Sequence, residues 1–468
     1  MKYDIMIIGA GASGLAAAIS AKRTSPRKSV AVLEALPRVG KKILATGNGR
    51  CNLTNKNAVA EAYSNSSFAA PALKEYPSEK VIDFFRSIGV MCVNDAEGRV
   101  YPMSYTASTV LDALRNEAQR LGAELICNRH IDSVKAVNGH FTAEDIKADK
   151  VIICTGGKAS ASQGSDGSGY TILKGLGHRI TDVRPGLVQL VVDENTKSLK
   201  GVRVKANVIL EQDGKIVDSA KGEVLFTDYG LSGISVMDVS RSVKKGKYVC
   251  RIDMLPECDF VEAKNFILSL EKSMPIVNAL GGMLPKKATE YVLKSCGINC
   301  LSSVGSLGER KIDEIIKKSK AFPFTVNSTR GFANAQISVG GANVNEFNPT
   351  TLESKLVKGL YCAGEVLDVD SVCGGFNLQW AWASGLAAGK HAALSEKEDR
   401  AVLFTVGART VDDTLLGEVS FLYDAAQGTL YVTASADGGV TCSTSDAADA
   451  PADVQPVLTL PILDEIDA

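Results

Sequence analysis

Hydrophobic and polar positions fall into distinct patterns along the chain. Asp4 to Ile8 is a short apolar run of strand length, and Val30 to Leu33 and Val151 to Cys154 are two more. Runs this continuous predict strands buried on both faces, as in a parallel sheet. Between the first two lies "LAAAISAKR", small and helical. Near the other end, "VKGLYCAGEVLDVD" (357–370) predicts a strand, and "SVCGGFNLQWAWASGLAAGKHAA" (371–393) runs from two glycines into an alanine-rich helix. From about 186 to 335 the pattern changes to alternation. "LVQLVVDE", "VRVKANVILEQDGKIVDSAKGEVLFT" and "KYVCRIDML" predict half-buried strands, with a hairpin turn at Asp213-Gly214. "DFVEAKNFILSLEKSM" and "GERKIDEIIKKSKA" have the periodicity of amphipathic helices.

These patterns predict an α/β fold. A doubly wound parallel sheet of Rossmann-like type is expected from residues 1–185 and 336–395. A β-barrel-like unit with a small helical part, residues 186–335, is expected to interrupt it. Residues 396–468 form an acidic tail in which the only base after Ala401 is Arg409. Within it, "GEVSFLYDAAQGTLYVTA" predicts a hairpin about Gln427-Gly428, and "STSDAADAPADVQP" has too little apolar content to pack.

Composition narrows the function classes. Hydrophobic content of 45% over 468 residues suits a folded protein of two or three domains. A formal net charge of −1 argues against a nucleic-acid partner held by phosphate neutralisation. No apolar run approaches the roughly 20 residues that cross a bilayer, so no membrane partner is expected. The N-terminus breaks into glycines after a short run and reads as a first strand, which makes a cytoplasmic location the expectation. The 11 cysteines and four histidines are scattered, and Cys296 and Cys300 have no second pair, so no metal site is expected. Oligomeric state is not legible.

The strongest local signal is Gly9, Gly11 and Gly14, a G-x-G-x-x-G between strand and helix, with Glu34 ending the next strand twenty residues later. Gly9 permits the tight turn, Gly11 lets the backbone approach a pyrophosphate, and Gly14 lets helix and strand pack closely. The helix start, Ala12 and Ser13, turns N–H groups and a partial positive charge toward the phosphates. Glu34 can accept hydrogen bonds from ribose hydroxyls. The pattern predicts a bound dinucleotide.

This turn, with "GKKILATGNGRCNLTN", "CTGGKA", "LFTDYGLSG" and "GLYCAGEVLDVDSVCGGFNLQWAWASGLAAG", resembles the FAD-binding flavoproteins known as aminoacetone oxidase-like or NAD(P)/FAD-dependent oxidoreductases. Some members of that family are reductases of unsaturated bile-acid intermediates. The resemblance covers roughly residues 1 to 392 and implies an FAD extended over the N-terminal domain. By that resemblance Lys42, Thr46, Gly47, Arg50, Cys51 and Asn52 lie on a loop that wraps the cofactor. Thr155, Gly156 and Gly157 would follow the strand beside it. Gly364, Glu365 and Asp368 would approach the ribityl and pyrophosphate region. Gly375, Phe376 and Asn377 would turn a helix N-terminus toward the flavin pyrimidine ring. Ile131, in a stretch read as strand or hairpin, would offer its backbone to adenine.

In "LFTDYGLSGISVMDVSR" (225–241) the family commonly has histidine where this chain has Asp228, and proline where it has Ser235. Arg50, Tyr229 and Asp228 are the candidates for catalysis, against the plainer reading of the motif as a turn entering a helix. His178, after the glycine-rich "GSDGSGYTILKGLGH", reads as structural. Cys373 lacks a C-x-x-C partner and does not make a disulfide reductase.

The expected function is an FAD-dependent oxidoreductase that moves hydride between a small organic substrate and flavin. Only one strand–glycine–helix unit is present, so NADH or NADPH would enter the substrate pocket as a transient co-substrate. A reductase of enone or steroid-like substrates leads. A peroxide-producing amine oxidase, a flavin-dependent RNA-modifying protein and a non-catalytic FAD sensor remain alternatives.

Overall fold

The computed structural model describes residues 1–137, 139–394, 400–409, 415–424 and 429–436, the last three as backbone strands. The chain divides into two compact units, Met1–Ala393 and Leu394–Ala468.

In the first unit, strands Ala123–Ile126, Val30–Leu33, Lys2–Ile8 and Ile146–Ile153 lie side by side and parallel. The start of Ile146–Ile153 pairs on its other side with the hairpin Lys135–Val137/His140–Ala143. Its end pairs in parallel with Leu360–Cys362. The late return of the chain thus completes the sheet beside Ile146–Ile153, on the opposite side of the first strand from Val30–Leu33. Ile5 to Ile7, Val30 to Leu33 and Val151 to Ile153 are almost wholly buried, as their unbroken apolar runs require.

Two helices cover one face with their backbones in contact. The first, Ala12–Thr24, crosses the return helix Phe376–Ala393. A Cβ added at Gly385 would stand 2.4 Å from Ser13 O, and one at Gly389 would stand 2.2 Å from Ala17 O. Ser20 Oγ closes the contact by donating to Leu386 O at 2.7 Å.

Residues 190–329 build a second core. Leu190–Val192, Gly230–Ser232, Lys215–Phe226, Arg203–Gln212, Tyr248–Asp253 and Phe322–Thr329 form a closed barrel in that order. Phe226, Phe324 and Val208 fill its centre. Its long hairpin turns at Asp213 and Gly214, both with positive φ, between the paired Gln212 and Lys215. Helices Phe260–Ser269, Ile276–Gly281, Lys286–Ser295 and Glu309–Lys320 pack on it. The first of these starts where Asp259 accepts the Glu262 N–H and ends at Ser269, short of the apolar pattern that continues to Met274.

Ile131 is not in a strand. The strand stops at Ile126, Asn128 turns with a φ of 58°, and residues 127–134 run irregularly with Ile131 buried among the core residues. A left-handed asparagine breaks the ladder that the apolar pattern alone would continue.

In the second unit, Arg400–Arg409, Leu415–Asp424 and Thr429–Ala436 form an antiparallel sheet with Leu415–Asp424 in the middle. The stretch "STSDAADAPADVQP" lies outside the described residues.

Candidate functional site

The three glycines of the first turn do different work. Gly9 has a φ of 101°, and a Cβ there would stand 2.5 Å from Cys154 O. One at Gly14 would stand 1.9 Å from Gly9 O, so both glycines are fixed by packing. A Cβ at Gly11 meets no atom of the described residues within 4 Å. Its open side is where another molecule can reach the backbone. The helix that follows has no side-chain cap and no acid in its first turn, so its N-terminal positive charge is unanswered by the chain's own side chains.

Glu34 is buried below this turn. Its Oε2 accepts the Ala10 N–H and its Oε1 the Leu36 N–H, each at 3.0 Å. Burial raises its carboxyl pKa against the pull of these bonds. A carboxylate has about four lone-pair sites. The Ala10 and Leu36 N–H groups, with that of Ala35 nearby, take part of this capacity and hold Glu34 in place.

Three segments distant in sequence converge next to Gly157. Lys42 Nζ lies 2.7 Å from Glu365 Oε2, and Glu365 Oε1 accepts the Ser338 N–H at 2.8 Å. Ser338 Oγ accepts the N–H groups of Lys158 and Ala159. A Cβ at Gly157 would collide with both Ser338 Oγ and Glu365 Oε1. Gly156, with a φ of 72°, faces Ser165 Oγ, a buried hydroxyl without a partner among the described residues. Thr155 abuts Gly169 in the same way. The return turn also meets the first helix, because a side chain at Gly364 would strike Ser13 Oγ.

The polar loop 46–55 is clamped against the start of the return helix. Thr46 Oγ1 donates to Ile43 O, and Gly47, Asn48 and Cys51 are left-handed. Cys51 is buried, which pushes its thiol up to about 12. Asn55 Nδ2 donates to Gly374 O, Thr54 Oγ1 to Gln379 Oε1, and Trp382 Nε1 to Leu53 O. Gly374 and Gly375 have φ of 115° and 100°, and Thr54 O leaves no room for a side chain at Gly375. Asn52 Oδ1 lies against Gly375 and has no partner among the described residues, although Asn52 is only 9% exposed. A buried acceptor left without a donor costs about 1–3 kcal/mol. Residues Val372 to Leu378 are all half-buried despite lying between the two ends of the fold.

Several predicted contacts have other engagements. The Asn377 amide ties the loop by accepting the Ser371 N–H and donating to Ser371 O and Val372 O. Phe376 O accepts the Tyr63 hydroxyl. Asp368 accepts the Thr181 hydroxyl at 3.0 Å, and burial raises its pKa. Arg50 is exposed, donates to Gly47 O and covers the Tyr101 ring. Asp228 is exposed and paired with Lys200 at 2.7 Å, which holds its carboxyl below the usual range. In this state Asp228 is an exposed, ion-paired carboxylate. Tyr229 is half-buried, with the Arg330 guanidinium 4.3 Å above its ring.

His178 is structural. It is buried, stacked on Phe347, and bonded through Nδ1 to Glu346 and through Nε2 to Ser354 Oγ.

Sequence reasoning missed a polar seam where the barrel meets the return segment. Arg241 Nε lies 2.7 Å from Asp370 Oδ1, and Asp370 Oδ2 accepts the Ser64 hydroxyl. Asp238 Oδ1 accepts the Cys373 N–H at 2.7 Å. Asp238 and Arg241 stand in the quoted motif 225–241, three apart on one turn, and that spacing was the available signal.

The open side of Gly11, the remaining acceptor capacity of Glu34, the uncapped helix and the orphaned Asn52 oxygen fit a long, phosphate-bearing cofactor with an N–H at its far end. No group of residues that could hold a metal ion occurs among the described residues. No helix among them is long and apolar enough to cross a membrane.

The model of the HI0933-like protein Rossmann domain matches residues 3–391. A 3-dehydro-bile acid delta(4,6)-reductase of Clostridium scindens is 39% identical over 83% of this chain and 98% of its own. A ribosomal RNA dihydrouridine synthase of Escherichia coli is 30% identical over 82% of this chain and 97% of its own. Among solved structures, a 3-ketosteroid delta1-dehydrogenase from Sterolibacterium denitrificans superposes with a TM-score of 0.47 at 12% identity, over 84% of this chain and 99% of its own. That likeness is too distant to inform the substrate.

Proposed function

Because the chain belongs to the HI0933-like family of FAD-binding Rossmann proteins, and is an FAD-dependent oxidoreductase, we propose that it is a reductase of conjugated carbon–carbon double bonds. The substrate is a small, steroid-like enone and the electron donor is NADH or NADPH. The observation that carries this reading is the 39% identity to the bile-acid reductase over 98% of that protein's length. When bound, FAD supplies the hydride chemistry.

The chain's own residues bind and orient. Backbone N–H groups at Gly11, Ala12 and Ser13 take the diphosphate on the uncapped helix. Glu34 would take ribose hydroxyls on its remaining acceptor capacity. Lys42 and Glu365, fixed by each other and by Ser338, flank the ribityl chain. Asn52 Oδ1 takes an N–H of the flavin pyrimidine edge. The positive end of the return helix stabilises negative charge on that edge. The barrel would cover the cofactor and supply one wall of the substrate pocket.

A second reading rests on the dihydrouridine synthases. Their name also denotes hydrogenation of a double bond next to a carbonyl, here in a nucleobase of ribosomal RNA. The near-zero net charge favours the small molecule.

The test is anaerobic spectroscopy of the purified protein. NADH or NADPH bleaches the flavin, and an enone of steroid type restores its colour. Bleaching by amines such as aminoacetone, with peroxide formed in air, would overturn the proposal in favour of an oxidase. Recolouring by ribosomal RNA fragments but not by enones would overturn it in favour of the second reading.

A further inference from the structure

Hydrogenating an enone requires a hydride at one carbon and a proton at its neighbour. The residues assigned so far account for holding the cofactor. Their polar groups are engaged elsewhere: Arg50 donates to Gly47 O, Lys42 is paired with Glu365, Asp228 is paired with Lys200 at the surface, and Tyr229 lies under Arg330.

One pair of acidic groups sits at the mouth of the return helix. Cys373 immediately precedes Gly374 and Gly375, the two left-handed glycines at the mouth of the return helix. The orphaned Asn52 oxygen, nine-tenths buried, lies against Gly375 and marks this turn as the edge of a ligand site. Asp238, on the barrel helix Ile234–Ser240, reaches across and accepts the Cys373 N–H at 2.7 Å. That bond spans 135 residues of sequence, and the same carboxyl acts on the Cys373 thiol. Both residues are half-buried.

We infer that Cys373 donates the proton to the substrate and that Asp238 returns a proton to the thiolate. The inference rests on the reductase reading above. In the step, hydride from the reduced cofactor forms a C–H bond at the β-carbon, and the double-bond electrons take a proton from Cys373 Sγ at the α-carbon. The thiolate is then reprotonated from water through the Asp238 carboxylate, which takes up a proton, passes it to the sulfur and ends ionised as it began. The substrate gains two electrons and two protons in balance with the cofactor and solvent.

The electrostatics agree with this geometry. Burial first, and then the Asp238 carboxylate, push the Cys373 thiol well above its ordinary value, so it carries its proton at neutral pH. Burial also raises Asp238, against the Cys373 N–H and Arg241. Asp218 adds to the rise. Arg241 is itself paired with Asp370, and Arg184 donates to the Arg241 carbonyl.

The test mixes dithionite-reduced enzyme with an enone without air and follows the return of flavin absorbance. Cys373→Ala, with flavin content unchanged, should slow that return by about 10²–10⁴-fold. Cys373→Ser keeps a hydroxyl of similar size but far weaker acidity and should also be slow. Asp238→Asn retains an oxygen for the Cys373 N–H; it should keep the first turnover and lower kcat at unchanged KM, and Asp238→Glu should restore kcat. A readout independent of turnover is alkylation of Cys373 followed by mass spectrometry. The pH at which it becomes reactive should fall in Asp238→Asn, because a neighbouring negative charge is gone. Wild-type return rates in Cys373→Ala, or an unmoved alkylation profile in Asp238→Asn, would overturn the relay and leave the reductase reading standing. A wild-type protein that no enone recolours would overturn both.

Discussion

Lys42 and Glu365, 323 residues apart in sequence, meet as an ion pair of 2.7 Å beside the Thr155–Gly157 turn. Both side chains are about three-quarters buried, and Glu365 is further fixed by the Ser338 N–H. The pair therefore ties the loop that leaves the first crossover to the strand that returns from the barrel. Glu365→Gln keeps an acceptor for Ser338 and removes the charge. It should weaken FAD binding about tenfold, or ~1.4 kcal/mol. Titration of the apoprotein with FAD, followed by flavin fluorescence, measures it, and unchanged affinity would separate the pair from the cofactor.

Gly11 and Gly14 should separate binding from folding. A side chain at Gly11 enters open space, whereas one at Gly14 enters the Gly9 carbonyl. Gly11→Val is expected to fold with a normal melting temperature as apoprotein and to purify without flavin. Gly14→Ala has to shift the first helix off the sheet and should lose about 1–3 kcal/mol even without cofactor. Denaturant unfolding of the two apoproteins, set beside their flavin content, checks both halves.

His178 predicts a pH dependence of stability. Its Nδ1–H donates to Glu346 and its Nε2 accepts from Ser354, whose hydroxyl oxygen already accepts the N–H groups of Leu356 and Val357. This arrangement suits the neutral ring. Burial pushes the imidazole below its ordinary value despite Glu346, so the unfolded chain binds its proton first. Stability is then fully present above the unfolded pKa of about 6.5 and falls as pH drops below it. The Glu346 carboxylate, held low chiefly by Arg179 against its burial, adds a loss of the same sign at lower pH. In His178→Gln the slope between about pH 5 and 6.5 should flatten; a wild-type slope there would assign the acid sensitivity elsewhere.

The fold was legible where sterics leave few choices. Strands buried on both faces demand unbroken apolar runs, and the contact of Gly385 and Gly389 with Ser13 and Ala17 demands residues without side chains. The Asp213-Gly214 turn was legible because two left-handed residues in a two-residue hairpin admit few others. The Asp238–Cys373 and Arg241–Asp370 contacts were not, since bonds across 135 and 129 residues leave no periodicity to read. Asp228 shows the converse. Its place in a family motif suggested chemistry, yet the turn points it to solvent and Lys200. Asn377 carries its amide inward to Ser371 and Val372, a local use that residue type alone does not distinguish from a ligand contact.

Asn52 offers a test in which apoprotein and holoprotein should respond in opposite directions. Its Oδ1 is buried against Gly375 without a donor, so the apoprotein bears the cost of an unmade hydrogen bond. Asn52→Leu is close in volume and removes that acceptor. It should leave the apoprotein as stable as before or stabilise it by up to about 1 kcal/mol, since the orphaned oxygen is gone. FAD stabilises the folded state by mass action, in proportion to the logarithm of its affinity. A variant that lacks the acceptor for the flavin N–H should therefore gain less from added FAD than the wild type. The measurement is the melting temperature of both proteins across an FAD titration. Curves that start together, or with the variant higher, and cross as FAD rises are expected. Parallel curves would mean that Asn52 faces no part of the cofactor and that its oxygen is satisfied by water.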